Sequence, residues 1–150
     1  MAIRREPASN FITKNELGFI GNEHTPYTGI IFENNSNGQL SFEGHFKDGK
    51  KHGTEKGWYE NGQLSQEVNF LDGKLNGIVK QWHINGQLKL EINYKDGKEQ
   101  GTEKQWDING KLKGEINFQD GKQHGIERWY DKSGNLLYTY HFENGERKWK

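Results

Sequence analysis

Glu43, Glu67, Glu91 and Glu115 recur at an interval of 24 residues, and carboxylates held near one another are a common means of general acid–base chemistry. That chemistry needs two unlike environments which push the pKa values apart, one acid kept protonated and the other ionised. A column of equivalent glutamates offers one environment repeatedly, so its regularity argues against an active site. The six histidines, His24, His45, His52, His83, His124 and His141, are dispersed, and none stands at a metal-ligand spacing such as i, i+4 on a helix. His52 and His124 directly precede a repeating glycine, as solvated turn residues do. Cysteine is absent, which excludes a thiol nucleophile, thiolate ligation and a disulfide framework. The serines form no Gly-x-Ser-x-Gly elbow, and the 20 glycines form no Gly-x-Gly-x-x-Gly or Walker pattern between a strand and a helix. No catalytic residue, metal site or cofactor is expected.

The glycines instead mark a repeat. Gly38, Gly62, Gly86, Gly110 and Gly134 form one series, Gly49, Gly73, Gly97, Gly121 and Gly145 a second, and Gly29, Gly53, Gly77, Gly101 and Gly125 a third, all with a period of 24. Leu40, Leu64, Leu88, Leu112 and Leu136 keep the same register, as do Phe46, Phe70, Tyr94, Phe118 and Phe142, and Trp58, Trp82, Trp106 and Tyr130. Asn or Ser precedes each first-series glycine and Asp or Asn each second-series one. These dipeptides supply the positive φ of tight hairpins, so each copy contains two reversals and hence two short strands. Within the second strand the alternation Leu64, Gln66, Val68, Phe70 against Ser65, Glu67, Asn69 has period two, which predicts one buried and one wet face and no helix within the repeats.

Turn length decides where the tryptophans lie. A two-residue loop would put Tyr59 opposite Leu64, whereas a three-residue loop ending in Gly62 as a bulge puts Trp58 there. The second arrangement is preferred, because it gathers Trp58, Leu64, Val68 and Phe70 onto one buried face. It also brings Lys56, Lys80, Lys104 and Arg128 to that face, with stems over rings and charges reaching out. One copy holds too few large side chains to offset the ordering entropy of its residues, so stacking on neighbours is obligatory. The expected fold is all-β: an elongated, twisted antiparallel meander of five 24-residue hairpin repeats over 26–150, with residues 1–25 as an N-terminal cap in which Phe11, Ile12, Leu17, Phe19 and Ile20 close the first repeat.

Composition narrows the function. The chain has 150 residues with 21 basic and 21 acidic side chains, so its formal net charge is zero. Nucleic-acid binding, which draws its affinity from phosphate neutralisation, is not expected, and no polybasic patch favours an anionic membrane surface. Five Trp, six Tyr and eight Phe are too many large rings for a solvated tail and imply a thin, ring-rich core. The early arginines are not followed by the apolar run of a secretory leader, so a reducing cytoplasm is the expected setting.

The unit DGKKHGTEKGWYENGQLSQEVNF, with its relatives DGKEQGTEKQWDINGKLKGEINF and DGKQHGIERWYDKSGNLLYTYHF, resembles the second variant of the MORN repeat, as found in the YwqK-like antitoxin family. Pro26-Tyr27-Thr28-Gly29 resembles the way such arrays begin, and the likeness covers about residues 26 to 148. It implies a meander of hairpins and a role as a bacterial immunity protein or antitoxin that neutralises a protein toxin by binding it, with no catalytic residues. The alternative it implies is a scaffold or membrane-surface module. Asn34 in the first copy, Gly114 inside a strand and Thr139 in place of glutamate depart from the pattern.

With the bulged turn, Glu55, Glu103 and Glu127 are expected on the same outward face as Glu67, Glu91 and Glu115, together with Tyr59, His83, Asp107 and Trp129. Such an acidic face with occasional rings suits a basic partner surface, the charges setting the on-rate and the rings anchoring. A nuclease or nucleobase-deaminase toxin, whose substrate groove must be basic, would fit. The expected complex is one to one, with this chain otherwise monomeric.

Overall fold

A computed structural model describes residues 3–149. In chain order the strands are β1 (Arg5–Pro7), β2 (Phe11–Lys14), β3 (Leu17–Ile20), β4 (Gly29–Asn34), β5 (Leu40–Lys47), β6 (Lys50–Trp58), β7 (Leu64–Leu71), β8 (Lys74–Leu75), β9 (Gly77–Trp82), β10 (Leu88–Lys95), β11 (Lys98–Trp106), β12 (Leu112–Gln119), β13 (Lys122–Gln123), β14 (Gly125–Tyr130), β15 (Leu136–Glu143) and β16 (Glu146–Lys148). A short 3-10 turn, Ala8–Asn10, is the one helical element among the described residues. From β4 to β16 the strands follow one another antiparallel in an open sheet, the five-copy meander that the glycine register predicts.

Both turn types have the expected chemistry. At Asp96-Gly97 both residues have positive φ, 51° and 83°, the mirror-image turn whose twist matches that of the flanking strands. At the other end of the hairpin Gly62 N–H donates to Tyr59 O at 2.9 Å, Tyr59 N–H donates to Gln63 O at 2.8 Å, and Gly62 has φ 82°. This is the three-residue loop closed by a glycine bulge, and it sets Trp58 opposite Leu64, as Trp82 faces Leu88 and Trp106 faces Leu112. Successive copies are tied through the backbone: Gly73 N–H donates to Lys51 O and Gly97 N–H to Leu75 O, each at 2.8 Å.

A second bulge alters the faces. Leu64 faces Trp58 but Gln66 faces Gly57, so Ser65 is an extra residue, and the same shift recurs at Lys89, Lys113 and Leu137. An extra residue reverses the parity of everything beyond it. Val68 therefore faces Glu55, while Glu67 faces Lys56. The single face expected to hold Trp58, Leu64, Val68 and Phe70 does not exist. Trp58 and Leu64 share one face with Lys56 and Glu67, and Val68 and Phe70 lie on the other.

The face bearing Val68 and Phe70, here called the inner face, holds the buried Ile31, Val79, Ile92 and Ile116. Its core is compact only at the N-terminal end, where Ile20, Tyr27 and Ile31 pack with Ala8, Phe11, Phe42 and Phe46. The β2–β3 hairpin brings the Phe11 ring to 4.6 Å from that of Phe46. Tyr27, 2% exposed, donates its hydroxyl to the carbonyls of Ile30 at 3.0 Å and Arg4 at 3.1 Å. Beside this core, β1 pairs in parallel with β4 through Ile30–Phe32.

Candidate partner-binding face

The opposite, ladder face carries an unbroken row of charges. In register across seven successive strand pairings run Glu43, Lys56, Glu67, Lys80, Glu91, Lys104, Glu115 and Arg128. Signs alternate at every step. Lys56 Nζ is 3.3 Å from Glu67, Lys80 Nζ 3.2 Å from Glu91, and both Lys104 and Arg128 are 3.9 Å from Glu115. Arg5 closes the near end at 2.7 Å from Glu43. Cross-strand opposite charges favour this register, and same-sign neighbours would oppose it.

The ladder corrects the expected acidic surface. Glu67, Glu91 and Glu115 each lie between two cations, so their side of the sheet is neutralised in alternation. Glu55, Glu103 and Glu127 lie on the other face, opposite Val68, Ile116 and Tyr140. The ten candidate residues are thus divided by the sheet, and the cause is the extra residue at the Ser65 position.

Several candidates on the inner face are occupied by the fold itself. Glu55 is 8% exposed, with Oε2 2.5 Å from Lys51 Nζ, near enough to pair but not aligned as a hydrogen bond. The Lys51 ammonium also sits 4.7 Å above the Phe70 ring. Tyr59 donates its hydroxyl to Trp82 O at 2.7 Å, and His83 Nε2 lies 3.0 Å from Trp106 O, so both brace the next copy. Asp107 accepts the N–H groups of Lys111 and Asn109 at 2.9 Å each, and these bonds hold its carboxyl below the usual aspartate range. Lys89 and Lys113 line the same shallow depression as His83 and Asp107, so this end of the face is not acidic.

Glu103 and Glu127 behave differently. Glu103 accepts from Gln105 Nε2 at 2.5 Å, and Glu127 accepts from Trp129 Nε1. A third carboxylate, Glu99, accepts from the Tyr94 hydroxyl at 3.3 Å. Burial, together with Glu99 and Glu103, pushes the Tyr94 phenol above its ordinary value, so it remains a donor. Among the described residues the ion pairs include none of Glu99, Glu103 and Glu127. Neutral donors therefore orient all three, and none of them is tied up in an ion pair. Trp129 lies on the same face with its ring over Gly114, where an added Cβ would stand 2.8 Å from the ring, so the strand glycine makes room for it. Tyr138 stacks 6.4 Å from Trp129 and 5.0 Å from Tyr140.

Glu99, Tyr138 and Tyr140 were not distinguishable in the sequence. The series Lys51, Leu75, Glu99, Gln123, Arg147 has no constant character, and only the register sets Glu99 opposite Tyr94. Among the described residues no three His, Asp or Glu side chains gather as a metal site, and no helix is long and apolar enough to cross a membrane.

An open sheet of stacked hairpins, each copy tied to the next through the backbone, is the build of a repeat protein. A family model described as a MORN repeat variant matches residues 27–48, 51–72, 75–96, 99–120 and 123–144, and the chain belongs to that family. Comparison with curated proteins returns no significant match.

Proposed function

We propose that the chain is a non-enzymatic binding protein that neutralises a protein toxin stoichiometrically, offering Glu99, Glu103, Glu127 and Trp129 to a basic surface such as a nuclease or deaminase substrate groove. The observation that carries the reading is the contrast between the two faces. One has its charges compensated in alternation, whereas the C-terminal half of the other holds three oriented carboxylates that form no ion pair, and a cluster of rings with Arg147 stacked on Tyr140 at its edge. Unpaired charge steers an oppositely charged partner, and rigid rings anchor it once docked. The likeness to YwqK-like antitoxins supports a toxin as that partner. Co-expression with the product of the adjacent reading frame tests this: a stoichiometric complex in which the neighbour's toxicity is suppressed is expected. Free passage of the two proteins through a sizing column would contradict it.

A further inference from the structure

The last long strand, β15, breaks the pattern of its predecessors. On one side it pairs with β14 along its length, and on the other β16 covers only His141–Glu143. Among the described residues no strand meets the outer edge of Leu136–Tyr140. Backbone N–H and C=O groups pointing that way form a template for another strand. Edges of this kind are ordinarily protected by charge. The equivalent segments carry Glu43, Glu67, Glu91 or Glu115, but here Leu-Leu-Tyr-Thr-Tyr has no charge, and Thr139 stands where the ladder calls for an acid. Leu136, Leu137 and Tyr138 are 54%, 59% and 42% exposed.

We infer that this edge pairs with the same edge of a second copy, antiparallel about a two-fold axis beside Tyr138, joining two sheets into one. Three features select this occupant. Strands of the repeat's own kind present a lysine or arginine opposite the ladder acid, as Lys80 does to Glu67, and Thr139 offers it no counter-charge. Head-to-tail stacking is opposed at the other end, because β1 already covers β4 over Ile30–Phe32 and places Pro7, which has no N–H, in that edge. Self-pairing brings only uncharged residues together, and a two-fold contact closes on itself without forming a fibre. The inner face remains open in such a dimer, so the contact is compatible with toxin binding yet does not depend on it.

Sedimentation equilibrium of the full chain across a wide concentration range tests the inference. A monomer–dimer equilibrium that goes no further is expected. Thr139→Glu restores the residue of the earlier copies beside Arg128 and should leave the circular dichroism and melting temperature intact, yet it sets two like charges near the axis. With Leu137→Glu added, glutamates face one another at both pairs that flank the axis, and the dimer dissociation constant should rise at least roughly tenfold, as like charges opposite one another oppose pairing. A monomer at all concentrations, leaving the edge to a strand from another protein, would overturn the inference. So would a dimer indifferent to these substitutions, or growth beyond two copies.

Discussion

At the scale of single residues, the charge ladder and the turn aspartates answer to different perturbations. Glu91 faces Lys80 and Lys104, so Glu91→Lys replaces two attractions by two repulsions. At exposed cross-strand sites this should cost about 1–2 kcal/mol, shrinking as salt is raised. A melting curve at low and high ionic strength measures it. Asp107 and Asp131 are held below the ordinary aspartate range, Asp107 first by the Lys111 N–H and Asp131 first by the Asn135 side chain. The unfolded chain therefore takes up these protons at a higher pH than the fold does. Their contribution is complete above the unfolded aspartate value, near about 4, and is lost as pH falls through the lower folded values. Urea midpoints of the double variant Asp107→Asn and Asp131→Asn should fall less steeply below about pH 4 than those of the parent. The first turn, capped by Asn35, has no such acid dependence of its own.

Among the elements, the hairpin is the unit whose construction the sequence revealed, and its second bulge is the part that stayed hidden. The Asp-Gly and Asn-Gly dipeptides report positive φ directly, so both turns could be placed from residue type alone. Gly97→Ala isolates that requirement, because its Cβ would meet nothing within 4 Å while the backbone stays at φ 83°. A loss of about 1–2 kcal/mol in equilibrium unfolding is expected from left-handed strain alone. Gly114→Ala tests a different constraint, the close approach of the Trp129 ring, and should cost about 1–3 kcal/mol while altering tryptophan fluorescence. The extra residue is Ser65, Lys89, Lys113 or Leu137 in successive copies, and nothing common to these types announces a bulge. Strict alternation from Leu64 to Phe70 conceals it. A usable signal was nevertheless present: lysine or arginine at the position of Lys56 recurs in step with glutamate at the position of Glu67, and pairing those columns fixes the register that parity alone misassigns. That one residue explains why the fold was legible while the candidate site was split across two faces.

Taken as a whole molecule, the compact core and the proposed binding patch occupy opposite ends of the sheet. Tyr27 and its neighbours form the compact core near the N-terminus, whereas the patch around Glu103, Glu127 and Trp129 rests on a thin layer containing Ile116 and the Gly114–Trp129 contact. Tyr27→Ala should therefore cost about 3–5 kcal/mol, and native-state hydrogen exchange should show protection declining from β5 towards β15. The inner face is the one proposed to meet a partner. Titration calorimetry of the purified adjacent-frame protein against two charge-reduced variants discriminates most directly, both first matched to the parent in melting temperature. Glu103→Gln with Glu127→Gln, on the inner face, should weaken binding roughly tenfold or more, while Glu67→Gln with Glu91→Gln, on the ladder face, should leave it unchanged; equal affinity for the inner-face variant, or a loss confined to the ladder-face one, would contradict the account.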